Sequence, residues 1–67
     1  MTKGTVKWFD SKKGYGFITP EDHSKDVFLH ISALQRAGIH NLHEGQEVSY
    51  EVVTNNGRSS AENVKLV

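Results

Sequence analysis

Residues 13–31 read KGYGFITPEDHSKDVFLHI, and two short runs of alternating side chains flank a polar segment in this stretch. Residues 15–19 and 27–31 alternate in side-chain character as half-buried β-strands do. Pro20 ends the first run, because proline has no N–H to give to a sheet. Residues 21–26 are polar and predict a loop. The stretch therefore predicts two consecutive strands joined by that loop.

Three further strands are predicted on either side of this pair. Residues 5–9, TVKWF, predict a first strand, and residues 10–14 supply the Asp, Ser and Gly of a turn. Residues 46–54 alternate clearly, with two valines and a tyrosine on one face. Asn-Asn-Gly at 55–57 is a strong hairpin signal, and residues 61–67 return as the last strand.

Only residues 32–45 do not fit a strand pattern. Residues 32–35 predict a single helical turn with Ser32 as its N-cap, and Gly38 and Gly45 end anything longer. Five short strands in a flat sheet would leave unpaired edges, and closure into a barrel removes them. We therefore predict an all-β fold, a five-stranded antiparallel barrel forming one domain over residues 1–67.

Strict alternation separates the aliphatic side chains of the two central strands from their rings. Ile18, Val27 and Leu29 share one face and predict the core. The opposite face then exposes four rings: Tyr15, Phe17, Phe28 and His30. A shifted register that buries these rings is the alternative. Trp8 and Phe9 are consecutive, so one is expected to face inward and the other outward, and alternation alone does not decide which.

Exposed rings on a small domain predict a stacking platform for nucleic-acid bases. Lys7 and Lys13 lie near the rings in sequence and would meet phosphates. Because duplex bases already stack on each other, such a platform favours single strands.

The eight basic residues balance eight acidic ones, which taken alone argues against nucleic acid. The balance hides an asymmetry, because residues 1–20 contain four lysines and only Asp10 as an acid. Cysteine is absent, which excludes disulfides and thiolate chemistry. We find neither a membrane-length apolar run nor a secretory signal, so the sequence predicts a soluble, intracellular protein.

The segments at residues 13–18 and 27–31 resemble the two ribonucleoprotein-type motifs of the cold-shock domain, and the similarity extends over essentially the whole chain. The resemblance implies a barrel of the oligonucleotide-binding type. It also implies binding of single-stranded RNA and DNA and an RNA-chaperone role in the bacterial cytoplasm. Regulation of transcription or translation in a cold-shock stress response is a further role that the resemblance suggests. No enzymatic activity, cofactor, metal or small-molecule substrate is implied, and we expect a monomer.

Position by position, seven residues match the nucleic-acid face of the family: Lys7, Trp8, Lys13, Tyr15, Phe17, Phe28 and His30. The match makes Trp8 the outward residue and leaves Phe9 largely packed. We add Ile31, and Arg58 as a contact to the strand backbone. Ile31 and Ile39 stand where the family usually has aromatics, residues 57–60 lack a common proline, and Asp10 replaces a frequent Asn. The two isoleucines predict weaker binding than in a member with both rings.

Other functions have less support in the sequence. His40 and His43 are three residues apart and suggest a metal site, but no cysteine joins them and a helix there is not expected. A hydrolytic trio needs the residue types of Asp26, His30 and Ser32, but no pocket is expected that would order these three side chains. The second candidate is a barrel that binds proline-rich peptides. Such peptide-binding grooves usually have acidic residues at their sides, whereas lysines lie beside the rings of this sequence. Tyr50 is expected to pack in the core. Two alternatives stay open for Asp26, a polar contact near the aromatic side chains or an anchor of its loop. Lys12 is equally open between a contact to phosphate and a solvated position in the turn.

Overall fold

The computed structural model describes residues 2–39 and 42–67, which form five strands and one helix. The elements are β1 (Thr2–Asp10), β2 (Tyr15–Pro20), β3 (Val27–His30), α1 (Ile31–Ala37), β4 (Glu47–Asn55) and β5 (Arg58–Leu66). The strands close into a barrel in the order β1-β2-β3-β5-β4. The predicted all-β, five-stranded barrel is confirmed. The pairing of β3 with β5, at Phe28 and Ser60, is parallel, while the other pairings are antiparallel as predicted.

Two strands begin earlier than the sequence predicted. β1 begins at Thr2 instead of residue 5, because its first residues pair with β4, Thr2 facing Tyr50 and Thr5 facing Glu47. β5 begins at Arg58 instead of residue 61. The turn at Asn56 and Gly57 has φ values of 51° and 76°, the left-handed backbone of a tight hairpin, so pairing starts immediately after it.

The predicted helical turn is a seven-residue helix, and its N-cap is His30 rather than Ser32. The His30 backbone is extended, and its imidazole accepts the Ser32 backbone N–H. Consequently β3 ends at His30, and Ile31, predicted as the end of that strand, is the first residue of α1. Gly38 ends the helix as predicted, with a left-handed backbone, and the Ile39 N–H donates to the Leu34 carbonyl oxygen.

The core lies inside the barrel and under α1. Its buried side chains come from every element: Val6, Ile18, Val27, Leu29, Ala33, Leu34, Leu42, Val48, Tyr50, Ala61 and Val64. Tyr50 is fully buried, as expected, but its hydroxyl has no hydrogen-bond partner among the described residues. Burial, followed by the nearby Asp22 carboxylate, raises the pKa of this phenol. Over residues 2–39 and 42–67, no helix has the length and apolar character needed to cross a membrane.

Candidate nucleic-acid interface

A β-bulge in β1 decides the direction of Trp8. Gly4 and Val6 are buried, so strict alternation would also turn Trp8 inward. The register instead shifts between Val6 and Trp8, and Trp8 becomes the partner of Phe17 on β2. A bulge reverses the facing of the residues that follow it. Trp8 therefore lies with the outward rings, and Phe9 packs against the core.

Five rings on the first three strands form one continuous surface, which we call the aromatic face: Trp8, Tyr15, Phe17, Phe28 and His30. The ring centroids of neighbouring members are 5.4–6.2 Å apart, within the range of direct aromatic contact. Tyr15 and Phe28 are nearly parallel, at 29°. The four aromatic rings are half-buried and His30 is exposed, so the rings support one another while keeping surface open to a ligand.

Gly16 lets β1 and β2 approach closely behind this face. A Cβ at Gly16 would lie 2.7 Å from the Phe9 Cα and closer still to the Trp8 carbonyl oxygen. Both are backbone atoms, so a side chain there would push the strands apart. Gly16 pairs with Phe9 on one side and Leu29 on the other, and this close packing fixes the spacing of the rings.

The lysines expected at the interface have different surroundings. The Lys7 Nζ lies 2.9 Å from the Asp26 Oδ2, so Asp26 is bonded to a lysine of the predicted site. The pair is exposed, and such pairs contribute only about 0–1 kcal/mol. A phosphate can therefore replace Asp26 at little cost. Lys13 is exposed, and its backbone N–H, like that of Lys12, donates to the Asp10 carboxylate, which orders the turn.

A groove of about 500 Å³ continues the aromatic face toward the β4–β5 turn. Phe17 and Phe28 line one part of it, and Arg58 lines the other. Lys25 also lines this groove, and sequence reasoning missed it. Its signal in the sequence is the position of a cation two residues before β3. The groove places two cations beside the rings.

The two isoleucines at usual aromatic positions are arranged differently. The Ile31 N–H donates to the Gly14 carbonyl oxygen, which places Ile31 beside the β1–β2 turn, half-buried. Ile39 packs against the core. Of the two isoleucines, Ile31 therefore lies next to Tyr15 and His30, which are cross-strand partners on β2 and β3.

The hydrolytic and metal arrangements have little geometric support. Asp26 contacts Lys7, while His30 contacts Ser32, so the three residues considered as a hydrolytic trio do not come together. Within residues 2–39 and 42–67, no group of three or more His, Cys, Asp or Glu side chains is placed to hold a metal ion. His40, one of the two histidines considered as metal ligands, lies outside the described residues.

A closed five-stranded barrel with rings and cations across its first three strands defines an oligonucleotide-binding barrel. Residues 2–67 match the family model described as the 'Cold-shock' DNA-binding domain. Cold shock protein CspA of Rhizobium meliloti (strain 1021) is 55% identical over 67 residues, covering 97% of each chain. Cold shock-like protein CspE of Escherichia coli (strain K12) is 56% identical over 62 residues, covering 92% of this chain and 90% of that protein. The chain belongs to the cold-shock domain family, whose members bind single-stranded nucleic acids.

Proposed function

We propose that this protein is an RNA chaperone that binds single-stranded RNA and DNA on the aromatic face and thereby keeps transcripts unpaired. The continuous surface of five rings carries the proposal, since neighbouring rings lie within 6.2 Å of each other. Each base stacked on a protein ring contributes about 1–3 kcal/mol. The proposed binding residues are those of the sequence prediction: Lys7, Trp8, Lys13, Tyr15, Phe17, Phe28, His30, Ile31 and Arg58.

Stacking on the protein competes with base pairing. A base must leave its duplex partner to lie on a ring, so the protein prefers the open form of a hairpin. A ligand shifts an equilibrium only by its preference for one state, and this preference needs no ATP. We therefore propose a binding protein rather than an enzyme, acting as a cytoplasmic monomer without a cofactor. The relatives are named for cold shock, which supports a role in that stress response.

The charges favour moderate affinity. The formal net charge is zero, so there is little long-range attraction to nucleic acid. Lys7 also gives up its bond to Asp26 when it meets a phosphate. Neutralising two to four phosphates predicts that log K falls against log salt with a slope of about −1.4 to −2.8. Stacking then supplies most of the binding free energy, which suits a protein that must release its RNA.

The test is the opening of a fluorescently labelled RNA hairpin in the absence of ATP. The wild-type protein is expected to open the hairpin. The double variant Phe17→Ala/Phe28→Ala is expected to lose this activity while keeping its fold, because both rings are only half-buried. Circular dichroism and thermal melting check the fold. A folded double variant that still opens hairpins would contradict the proposal, as would a wild-type protein that binds no single strand at low salt.

A further inference from the structure

His30 belongs both to the aromatic face and to the start of α1. Its Nδ1 accepts the backbone N–H of Ser32 at 3.1 Å. The Ser32 hydroxyl oxygen lies 2.9 Å from the same nitrogen. One side of the imidazole is therefore occupied by two groups of a single residue.

The backbone contact determines the tautomer of the ring. A backbone N–H can only donate, so the Nδ1 that receives it must hold a lone pair, and the proton of the neutral ring lies on Nε2. The Ser32 hydroxyl then donates to Nδ1 as well. Because the two ring nitrogens are on opposite sides of the imidazole, the Nε2–H points away from α1.

This Nε2–H is available at the end of the aromatic face. His30 is exposed, and the described part of the chain offers its Nε2 no hydrogen-bond partner. Its ring centroid is 6.2 Å from that of Phe28. A base stacked on Phe28, or the phosphate next to that base, would bring an acceptor atom toward this donor.

We propose that Ser32 is a positioning residue, which holds the His30 imidazole so that Nε2–H donates to an acceptor oxygen or nitrogen of the bound single strand. The inference rests on the proposed function, since it requires a strand on the aromatic face. It gives His30 a directional role beyond stacking. Ser32 itself need not touch the ligand.

The test is a double-mutant cycle measured with a short oligothymidine. Ser32→Ala is expected to weaken binding about two- to ten-fold, the effect of one hydrogen bond. Ser32→Thr keeps the hydroxyl and is expected to restore the affinity. In a His30→Phe background, which keeps a ring but has no donor, Ser32→Ala is expected to have no further effect. Ser49→Ala, on β4 and away from the face, is the matched control.

A spectroscopic measurement separates positioning from a merely structural role. Nitrogen-15 NMR of the neutral imidazole is expected to show the proton on Nε2 in the wild type and in Ser32→Ala, because both keep the backbone N–H of residue 32. The loss of the hydroxyl contact is expected to appear in Ser32→Ala as a mixture of ring orientations. Single methylphosphonate linkages placed along the strand identify the acceptor. If the His30 contribution disappears at one linkage, the acceptor is that phosphate; if it survives at all of them, the acceptor is a base.

The inference would be overturned if Ser32→Ala reduced the affinity for oligothymidine equally in the wild-type and His30→Phe backgrounds. It would also be overturned if the neutral His30 ring of the wild type carried its proton on Nδ1. Both results leave binding on the aromatic face intact. Failure of the proposed function is different, because the wild-type protein would then not bind oligothymidine at all.

Discussion

The first three strands and the β4–β5 hairpin belong to the same barrel, but their outer surfaces differ in chemical character. β1 to β3 expose rings and lysines, and the positions behind the rings are filled by Val6, Ile18 and Leu29. The hairpin exposes Val52 and Val53 and places Glu51 opposite Glu62. Both regions show apolar surface, but only the first adds π-faces to it. The hairpin contributes one cation to the groove beside these rings, Arg58 at the β4–β5 turn. The contrast indicates that ring chemistry and charge, rather than exposed apolar area, mark the functional side.

The largest expected effect is the difference between two double variants, each of which truncates two side chains to alanine. Phe17→Ala/Phe28→Ala removes two stacking rings and is expected to weaken oligothymidine binding at least about thirty-fold, from about 2 kcal/mol or more. Val52→Ala/Val53→Ala removes two side chains that are each 43% exposed on the hairpin, and is expected to leave affinity unchanged. Fluorescence titration measures both. Equal losses would remove the distinction between the two regions.

Gly16→Ala tests the close packing behind the rings. Its Cβ would meet the backbone of β1, so we expect a loss of about 1–3 kcal/mol in the free energy of unfolding, together with weaker binding. The control is Gly45→Ala, where a Cβ meets nothing within 4 Å and only the left-handed backbone, φ 84°, is penalised. It is expected to cost about 1–2 kcal/mol without affecting affinity. An unchanged denaturation midpoint in Gly16→Ala would refute the packing argument.

Tyr50→Phe is expected to stabilise the barrel by about 1–2 kcal/mol, because it removes a buried hydroxyl without a partner. Since the folded-state pKa of Tyr50 is raised, the stability of the wild type falls as pH rises above the unfolded value of about 10. Phe cannot ionise, so its advantage grows in that range. Tyr15→Phe, on the half-buried aromatic face, is expected to change stability little. Urea unfolding at several pH values measures this, and a destabilised Tyr50→Phe would mean that the hydroxyl has a partner after all.

Ile31→Phe is expected to tighten binding to a pyrimidine-rich strand about three- to ten-fold, because it adds a ring beside the Tyr15–His30 pair. Leu66→Phe adds the same ring at a side chain that is 52% exposed, at the end of β5, and is expected to have no effect on affinity. Unchanged or weaker binding by Ile31→Phe would show that position 31 does not extend the aromatic face.

The smallest effect concerns the hairpin alone. Glu51 and Glu62 are direct cross-strand partners, and like charges in such positions repel. Glu51→Gln keeps an oxygen to accept the Asn63 side-chain N–H and is expected to raise the free energy of unfolding by about a few tenths of a kcal/mol at low salt. Glu44→Gln, outside the strands, is the control. A gain that persisted at high salt would not come from this repulsion.

Local patterns were sufficient where side chains alternate or turns have a clear signature. The strands over residues 15–19 and 27–30, the Asn-Gly turn, the helix end at Gly38 and the buried Tyr50 all follow from neighbours in sequence. Each of these features depends on short-range preferences of the backbone or on the two-residue period of a strand.

The features that the sequence did not reveal depend on residues far apart in the chain. The bulge that turns Trp8 outward exists only against β2, and the extension of β1 to Thr2 exists only against β4. Lys25 joins Arg58 in a groove because a loop and a distant hairpin meet there. The N-cap was misassigned because Ser is a common cap, whereas His30 takes that role through its ring nitrogen.

Chemical-shift mapping with a short oligothymidine tests the division between the two regions most directly. Amide and ring resonances of Trp8, Phe17, Phe28 and His30 are expected to shift strongly, while those of Val52 and Glu62 on the outer side of the hairpin stay in place. Shifts concentrated on the hairpin, with the aromatic face unaffected, would contradict the proposed interface.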